Sequence, residues 1–285
     1  MTSASDSSPA RIAPRALRAP GLPRSLVAHP AYGPLPGLLL ILTVVTGVVD
    51  SISILALGRV FVANMTGNVV FAGFAIVGAP GFSLSASLFA LAGFLVGAAA
   101  GGGMITRVGS DRGALLRAGT AAEVALAAVA LVLAALSGDP GVTHGTITPA
   151  TGHISAGAFG PAITDALAAV LATAMGIQNA VARKLAVPDL TTTVLTMTLT
   201  GIGADLRGVL RAGATRATAK SDLIRRLLAI GTMLAGALAG ASLTLYVSPV
   251  SALALAVSLL AVTAGAAVAV SARPAPWRTP PPKAK

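Results

Sequence analysis

Polar side chains interrupt an apolar stretch at residues 61–71, FVANMTGNVVF. Asn64, Thr66 and Asn68 stand there among valine, methionine and phenylalanine, and Gly67 allows the backbone to bend. Amide and hydroxyl side chains can satisfy the backbone N–H and C=O groups that a broken membrane helix leaves free. They can equally bind a polar solute. The stretch therefore predicts either a repaired helix break or a binding site, and both interpretations are kept.

A carboxylate lies inside the apolar run that precedes this stretch. Asp50 follows the sequence LLLILTVVTGVV, which contains no charge. A carboxylate within a membrane helix costs about 2.5–3.5 kcal/mol on insertion scales and usually faces a cavity or a cation. Its partner is either Arg59, in a structural ion pair, or a bound proton or cation. Asp50 is thus a candidate ion-binding group.

The second half of the chain carries polar residues in matching places. GIQNA, at 176–180, puts two carboxamides where GVVDS, at 47–51, puts Asp50. VPDLTTTV, at 187–194, likewise pairs with VANMTGNV, at 62–69. Interrupted segments at equivalent positions of two halves are a sequence indication of a transport site. The substrate- or ion-binding residues predicted in this half are Gln178, Asn179, Asp189, Thr191 and Thr192.

The elements that hold these residues are those of a membrane protein. Hydrophobic residues make up 55% of the 285 positions and charged residues only 10%, whereas soluble domains carry about 25% charged residues. A helix needs about 20 apolar residues to cross the hydrocarbon, and the second and sixth apolar segments are interrupted near their starts. The composition predicts an all-α, polytopic transmembrane helix bundle. Its apolar segments are 36–58, 60–79, 84–106, 114–136, 164–185, 188–206, 226–247 and 250–272.

The distribution of lysine and arginine predicts how many segments cross. Three connections, 79–84, 137–162 and 246–250, contain neither residue. Six full crossings with two broken or re-entrant helices put these connections outside, and all basic clusters and both termini in the cytoplasm, as the positive-inside rule requires. Eight crossings are the alternative, and they would place a basic loop outside. The basic clusters lie in the N-terminal arm, at 107–117, at 183–184, at 207–226 and after 273.

The paired motifs predict two pseudo-symmetric halves, at about 36–136 and 164–272. A third pair, LVGAAAG at 95–101 and LAGALAG at 234–240, occurs in the same order. Three crossings in each half would insert the second half inverted, a common transporter arrangement. We expect residues 1–35 to form a disordered basic arm and residues 273–285 to form a solvated, basic, proline-rich tail.

Several functions are disfavoured by the composition. The net charge is +11, but the positive-inside rule accounts for the basic residues, and aromatic residues at 4% offer no platform for stacking bases. The chain has no cysteine, and His144 and His153 alone make a poor metal site. Nucleotide-binding, metalloprotease and nucleophile-elbow motifs are missing, so we expect no enzymatic activity and no cofactor. Glu123, the only glutamate, is expected at the membrane interface.

The two interrupted regions also carry a resemblance. VDSISILALGRVFVANMTGNVVFAGFA, at 49–75, and GIQNAVARKLAVPDLTTTVLTMTLTG, at 176–201, resemble the YoaK family of small bacterial inner-membrane proteins. The similarity covers residues 36–272. The family is defined as a domain of unknown function, so the resemblance implies a bacterial plasma-membrane protein and assigns no residue roles.

These observations together predict a secondary transporter or permease for a small solute. The alternative is a membrane scaffold or accessory subunit that transports nothing. The expected partners are the lipid bilayer, a small solute and a proton or cation, with no nucleic acid. Homo-oligomer formation is left open.

Overall fold

The computed structural model describes residues 32–138, 158–187, 195–210 and 215–279. Over these ranges the chain forms eight α-helices and one short 3-10 helix. The helices are α1 (Leu35–Ala56), α2 (Met65–Ile76), α3 (Leu84–Val108), α4 (Arg112–Leu136), α5 (Pro161–Leu185), α6 (Leu195–Leu210), α7 (Thr215–Tyr246) and α8 (Pro249–Ser271), and the 3-10 helix is Pro276–Arg278.

Six of these helices are long and apolar enough to cross a membrane: α1, α3, α4, α5, the Asp222–Tyr246 part of α7, and α8. The 12 residues of α2 reach only about 18 Å at 1.5 Å per residue, well short of the roughly 30 Å hydrocarbon core. Helix α6, with 16 residues, is also short. The predicted all-α polytopic bundle is therefore confirmed, with six long spans and two short helices at the places where polar residues interrupt the sequence.

The chain enters and leaves α2 at the same end of the bundle. A Cβ atom added to Gly58, just after α1, would lie 3.7 Å from the Cβ of Ser83, just before α3. The N–H of Ala158, just before α5, donates to the carbonyl of Ala56 at 2.8 Å. The end of α1 and the starts of α3 and α5 therefore meet at one end, and α2 does not form a seventh crossing.

Glycines bring the long helices into close contact in two parallel pairs, α1 with α7 and α3 with α5. A Cβ on Gly97 would lie 2.0 Å from the carbonyl oxygen of Thr173, and one on Gly236 would lie 2.1 Å from that of Val44. Backbones this close leave no room for any side chain at these positions. Such small-residue contacts drive helix association in lipid, where apolar burial gives little advantage.

Helices α1 and α5 form the centre of the bundle. Buried residues make up 67% of the apolar window of α1 and 61% of that of α5, against 17–33% in the other four long helices. The outer helices expose large apolar side chains, among them Leu95, Val132, Leu238 and Val262. Polar groups on α1 and α5 are therefore held away from lipid, which is the position that a solute or ion site requires.

The C-terminal segment, as far as Thr279, folds back onto the bundle instead of being fully solvated. Trp277 is buried, and a Cβ on Gly33 would lie 2.4 Å from its ring. The Nε of Arg278 donates to the Oδ1 of Asp111 at 3.1 Å, and its Nη2 donates to the other carboxylate oxygen. The predicted solvated tail is thus anchored to the bundle at Trp277 and Arg278, by an indole contact and an ion pair, whereas Arg273 is exposed.

Candidate functional site

Helix α1 carries a buried polar stripe that includes Asp50. Thr43, Thr46, Asp50 and Ser53 are spaced by three or four residues, which places them on one face of a helix, and all four are buried. The hydroxyls of Thr43 and Thr46 donate to carbonyls four residues earlier in the same helix, at 2.9 and 3.0 Å. Sequence reasoning singled out only Asp50 and missed its neighbours, although their spacing was a visible signal.

Asp50 binds the chain segment that leads from α1 to α2. Its Oδ2 accepts a hydrogen bond from the Nδ2 of Asn64 at 2.6 Å, and its Oδ1 accepts one from the backbone N–H of Ala63 at 3.3 Å. This segment turns back through Gly58 and Arg59, which both have positive φ, at 76° and 58°. The carboxylate thereby fixes the returning chain against the helix, and the structure brings two predicted site residues together.

Arg59 is not the partner of Asp50. Its guanidinium lies over the ring of Phe82, 5.5 Å from the ring centroid. Phe61, Phe71, Phe74 and Phe82 form an aromatic cluster with neighbouring ring centroids 5.1–6.2 Å apart. The structural ion pair considered from the sequence is therefore not formed, since the arginine makes a cation–π contact at this cluster.

Asn68 uses its carboxamide to hold the backbone of Phe61. Its Oδ1 accepts from the N–H of Phe61 at 2.8 Å, and its Nδ2 donates to the carbonyl of Phe61 at 2.5 Å and to the sulfur of Met65 at 3.6 Å. Gly67 packs against the ring of Phe61, so closely that a Cβ at this position would lie 2.4 Å from the ring. Asn68 is fully buried, whereas Thr66 is exposed. The two residues thus differ in surroundings although they stand two positions apart.

Gln178 reaches the same polar stripe from α5. Its Nε2 donates to the Oγ1 of Thr46 at 2.9 Å, and its buried Oε1 has no hydrogen-bond partner. Asn179 is half-buried, and its Nδ2 donates to the carbonyl of Met175 at 2.8 Å. Gln178 therefore contacts the stripe one helical turn from Asp50, while the Asn179 hydrogen bond to Met175 stays within α5. The remaining predicted residues, Asp189, Thr191 and Thr192, lie outside the described residues, as do His144 and His153.

Glu123 is the residue for which the sequence expectation fails most clearly. It stands near the middle of the 25-residue α4, has no exposed surface, and neither carboxylate oxygen has a hydrogen-bond partner. The expected interfacial position is wrong, because the helix begins at Arg112 and carries Glu123 three turns into the bundle. The signal was present in the sequence, since this glutamate is the only one in the chain.

Comparisons with known proteins agree with this architecture. A family profile described as "Protein of unknown function (DUF1275)" matches residues 38–266. The chain is 34% identical over 202 residues to the UPF0700 transmembrane protein YoaK of Bacillus subtilis (strain 168), a match that covers 70% of this chain and 80% of that protein. The resemblance to a YoaK-like family is thereby confirmed. No solved structure matches the chain at a significant level.

Proposed function

The chain belongs to the family described as "Protein of unknown function (DUF1275)", a description that names no activity, and we therefore propose a function from the site itself: a secondary transporter or permease for a small solute. The observation that carries the proposal is the buried carboxylate of Asp50, hydrogen-bonded to the broken segment before α2. The proposal places the protein in the bacterial plasma membrane with both termini in the cytoplasm. It assigns no chemical step and no cofactor.

Asp50 is suited to bind a coupling ion because none of the cationic side chains that the structure describes pairs with it. Arg59, the nearest cation along the chain, contacts Phe82 instead. An ionised carboxylate has about four acceptor sites, and two of those on Asp50 are used by Asn64 and Ala63. Intramembrane carboxylates of this kind mark ion pathways and proton relays. A proton or small cation on Asp50 would weaken its hold on the segment before α2 and so couple binding to movement.

The glycine contacts support a transporter built from two inverted halves. A Cβ on Gly97 would contact the carbonyl of Thr173, three residues before Gly176. Reciprocally, a Cβ on Gly176 would contact the carbonyl of Phe94, three residues before Gly97. Gly236 and Gly47 make the same reciprocal contact between α7 and α1. Helix α3 of the first half therefore packs on α5, the first helix of the second half. In the same way, α7 of the second half packs on α1, the first helix of the first half. A two-fold relation between halves of opposite orientation is the arrangement in which transporters place a site near the membrane centre.

The paired motifs add a detail about charge. Aligning Gly47 with Gly176 places Asp50 opposite Asn179, and aligning 62–69 with 187–194 places Asn64 opposite Asp189. Each half therefore contains one carboxylate and one carboxamide, in exchanged positions. The proposal interprets this exchange as two related sites of the same charge, one in each half.

The alternative is a membrane scaffold or accessory subunit, and Asn68 favours it. The carboxamide of this residue is fully engaged by Phe61 and Met65. That part of the predicted site supports the backbone and leaves no group for a solute. In a scaffold, all the polar side chains of this region would support the backbone and none would bind a solute.

Uptake into proteoliposomes separates the two functions. Wild-type protein is reconstituted and presented with pools of small metabolites, with and without a proton gradient. We expect gradient-dependent uptake of at least one solute, which Asp50→Asn abolishes because it keeps shape and removes the charge. The double variant Asp50→Asn with Asn64→Asp restores the charge one hydrogen bond away and should recover part of the uptake.

Asp165→Asn is the matched control for this experiment. It makes the same chemical change in a carboxylate that accepts from Ser85 at the end of the bundle, at 3.1 Å, and it should leave uptake unchanged. If wild-type protein moves no solute, or if Asp50→Asn retains full gradient dependence, the transporter proposal fails and the scaffold is favoured.

A further inference from the structure

The buried carboxyl of Glu123 has no role in the mechanism proposed above. It lies at the centre of α4 with no exposed surface, and neither oxygen has a partner. An ionised carboxylate without a hydrogen-bond donor or counter-ion is among the most costly groups to bury, whereas a neutral carboxylic acid needs only one acceptor for its O–H. The geometry therefore favours the protonated form.

No charged group on the neighbouring helices compensates Glu123. Helix α8, which packs along α4, contains no titratable residue between Pro249 and Ser271. The titratable residues of the other described elements packed against α4 lie near helix ends or in the tail. They are Arg107 on α3, Asp165, Arg183 and Lys184 on α5, Arg112 and Arg117 in the first two turns of α4 itself, and Arg278, which is bound to Asp111.

A hydrogen-bond acceptor is available at the same level of the bundle. Helices α4 and α5 run antiparallel, and Gly119 packs against Val181. Four residues further along α4 is Glu123, and four residues back along α5 are Ile177 and its neighbour Gln178. The Oε1 of Gln178 is buried and lacks a donor. Its Nε2 is bonded to Thr46, which stands one turn before Asp50 on α1.

We propose that Glu123 is a proton-binding site buried halfway along α4, which carries its proton at neutral pH and has the Gln178 carboxamide oxygen as hydrogen-bond acceptor. A metal cation fits less well, because it needs several oxygen ligands and the described residues bring together no group of three His, Cys, Asp or Glu side chains. The site is distinct from Asp50, and a buried polar track through Gln178 and Thr46 leads from one carboxyl towards the other. The inference does not depend on transport.

Infrared spectroscopy of reconstituted protein tests the site directly. We expect a carbonyl stretching band of a protonated carboxylic acid at neutral pH, which Glu123→Gln removes and Asp165→Asn retains. In Gln178→Leu the band should persist and move to higher frequency, because the carboxyl loses a hydrogen bond. If the carboxylic-acid region of folded Glu123→Gln is identical to that of wild type, Glu123 is ionised and the proposal is overturned.

Dicyclohexylcarbodiimide provides a second measurement that needs no variant. The O–H of a protonated carboxyl adds across one C=N bond of this apolar reagent, so that oxygen bonds to carbon and the proton passes to nitrogen. The acyl group then migrates from oxygen to nitrogen, giving a stable N-acylurea that retains the whole reagent. If Glu123→Gln does not fold, mass spectrometry of labelled wild-type protein decides. An adduct on the peptide containing Glu123 supports the site, and an unmodified Glu123 overturns it. Solute uptake is measured separately, so its failure cannot be mistaken for failure of this proposal.

Discussion

At the scale of single residues, the carboxamide of Asn68 holds the chain where the helical pattern breaks. It pairs with both the N–H and the C=O of Phe61, as a neighbouring β-strand would. Buried backbone groups that lose their partners cost about 1–3 kcal/mol each. A residue in this role is replaceable only by one with both a donor and an acceptor in the same plane.

Asn68→Ala should therefore lower stability by about 2–4 kcal/mol, since the N–H and C=O of the half-buried Phe61 both lose their partner. Asn68→Asp should be no better, because an ionised carboxylate can accept from Phe61 but cannot donate to its carbonyl. Thermal unfolding in detergent measures both. Thr66→Val, a substitution at an exposed position two residues away, is the control and should change stability by less than about 0.5 kcal/mol. Equal stability of the alanine variant and this control would contradict the structural role.

Asp50 and Glu123 show that two buried carboxyls can have opposite surroundings in one bundle. Asp50 accepts two hydrogen bonds from the segment before α2, whereas Glu123 has no partner. In the two proposals, Asp50 holds the segment before α2, whereas Glu123 holds a proton.

At the scale of helices, the parallel pairs α1–α7 and α3–α5 depend on particular glycines. The contact atoms are backbone carbonyls of the partner helix, which cannot move aside as a flexible side chain would. Each pair also contains glycines at which an added Cβ would meet no atom within 4 Å. These supply controls within the same helix.

Gly97→Ala and Gly236→Ala should each destabilise the protein by about 1–3 kcal/mol, the usual cost of overpacking. Their new methyl groups would lie 2.0 and 2.1 Å from the carbonyl oxygens of Thr173 and Val44. Gly103→Ala on α3 and Gly231→Ala on α7 meet no atom within 4 Å. They should be neutral or slightly stabilising, because alanine is the better helix former. Thermal unfolding of the four variants tests the helix pairing, and similar losses at Gly97 and Gly236 would also support the two-fold relation between the halves.

At the scale of the whole molecule, the C-terminal segment joins the starts of α1 and α4. Trp277, the only tryptophan, packs on Gly33, and Arg278 bonds to Asp111 and to the carbonyl of Ser271. The hydrogen bond from Arg278 lowers the pKa of Asp111 below its ordinary value. A lowered folded-state pKa adds stability above the ordinary carboxyl pKa of about 3.9, and this contribution is lost as pH falls through the folded value.

Arg278→Gln should release the segment at neutral pH, and wild type should release it only in acid, below about pH 4. Tryptophan fluorescence reports the change, since Trp277 should shift to longer wavelength and become accessible to a soluble quencher. Arg273→Gln removes the same charge from an exposed arginine and should leave the spectrum unchanged. An unaltered spectrum in Arg278→Gln would show that the indole alone anchors the segment.

The orientation in the membrane can be measured with single cysteines, because the chain has none. A cysteine at Ser110, exposed between α3 and α4, should react only with a reagent that reaches the cytoplasm. Cysteines at Pro80 and Val247, exposed at the opposite end, should react from outside. The reverse pattern would invert the proposed orientation and leave the fold unaffected.

The sequence by itself determined the membrane class, the six long spans and the two interrupted elements. Length, hydropathy and the position of polar residues are local properties, and helices in lipid must satisfy their backbone within each segment. The same local evidence identified Asp50, Asn64 and Asn68 as candidate binding residues. It left open whether each residue binds a solute or supports the backbone.

The tertiary structure decided which atoms meet. The Gln178–Thr46 hydrogen bond joins residues 132 positions apart. Arg59 contacts Phe82 and does not pair with Asp50, and Glu123 is fully buried halfway along α4. None of these contacts follows from periodicity, because the lipid-facing and protein-facing sides of these helices are both largely apolar, and the pattern does not show which segment a polar residue will meet. The glycines that set the distance and rotation of each helix pair make that distinction, and they act only once two distant segments are packed together.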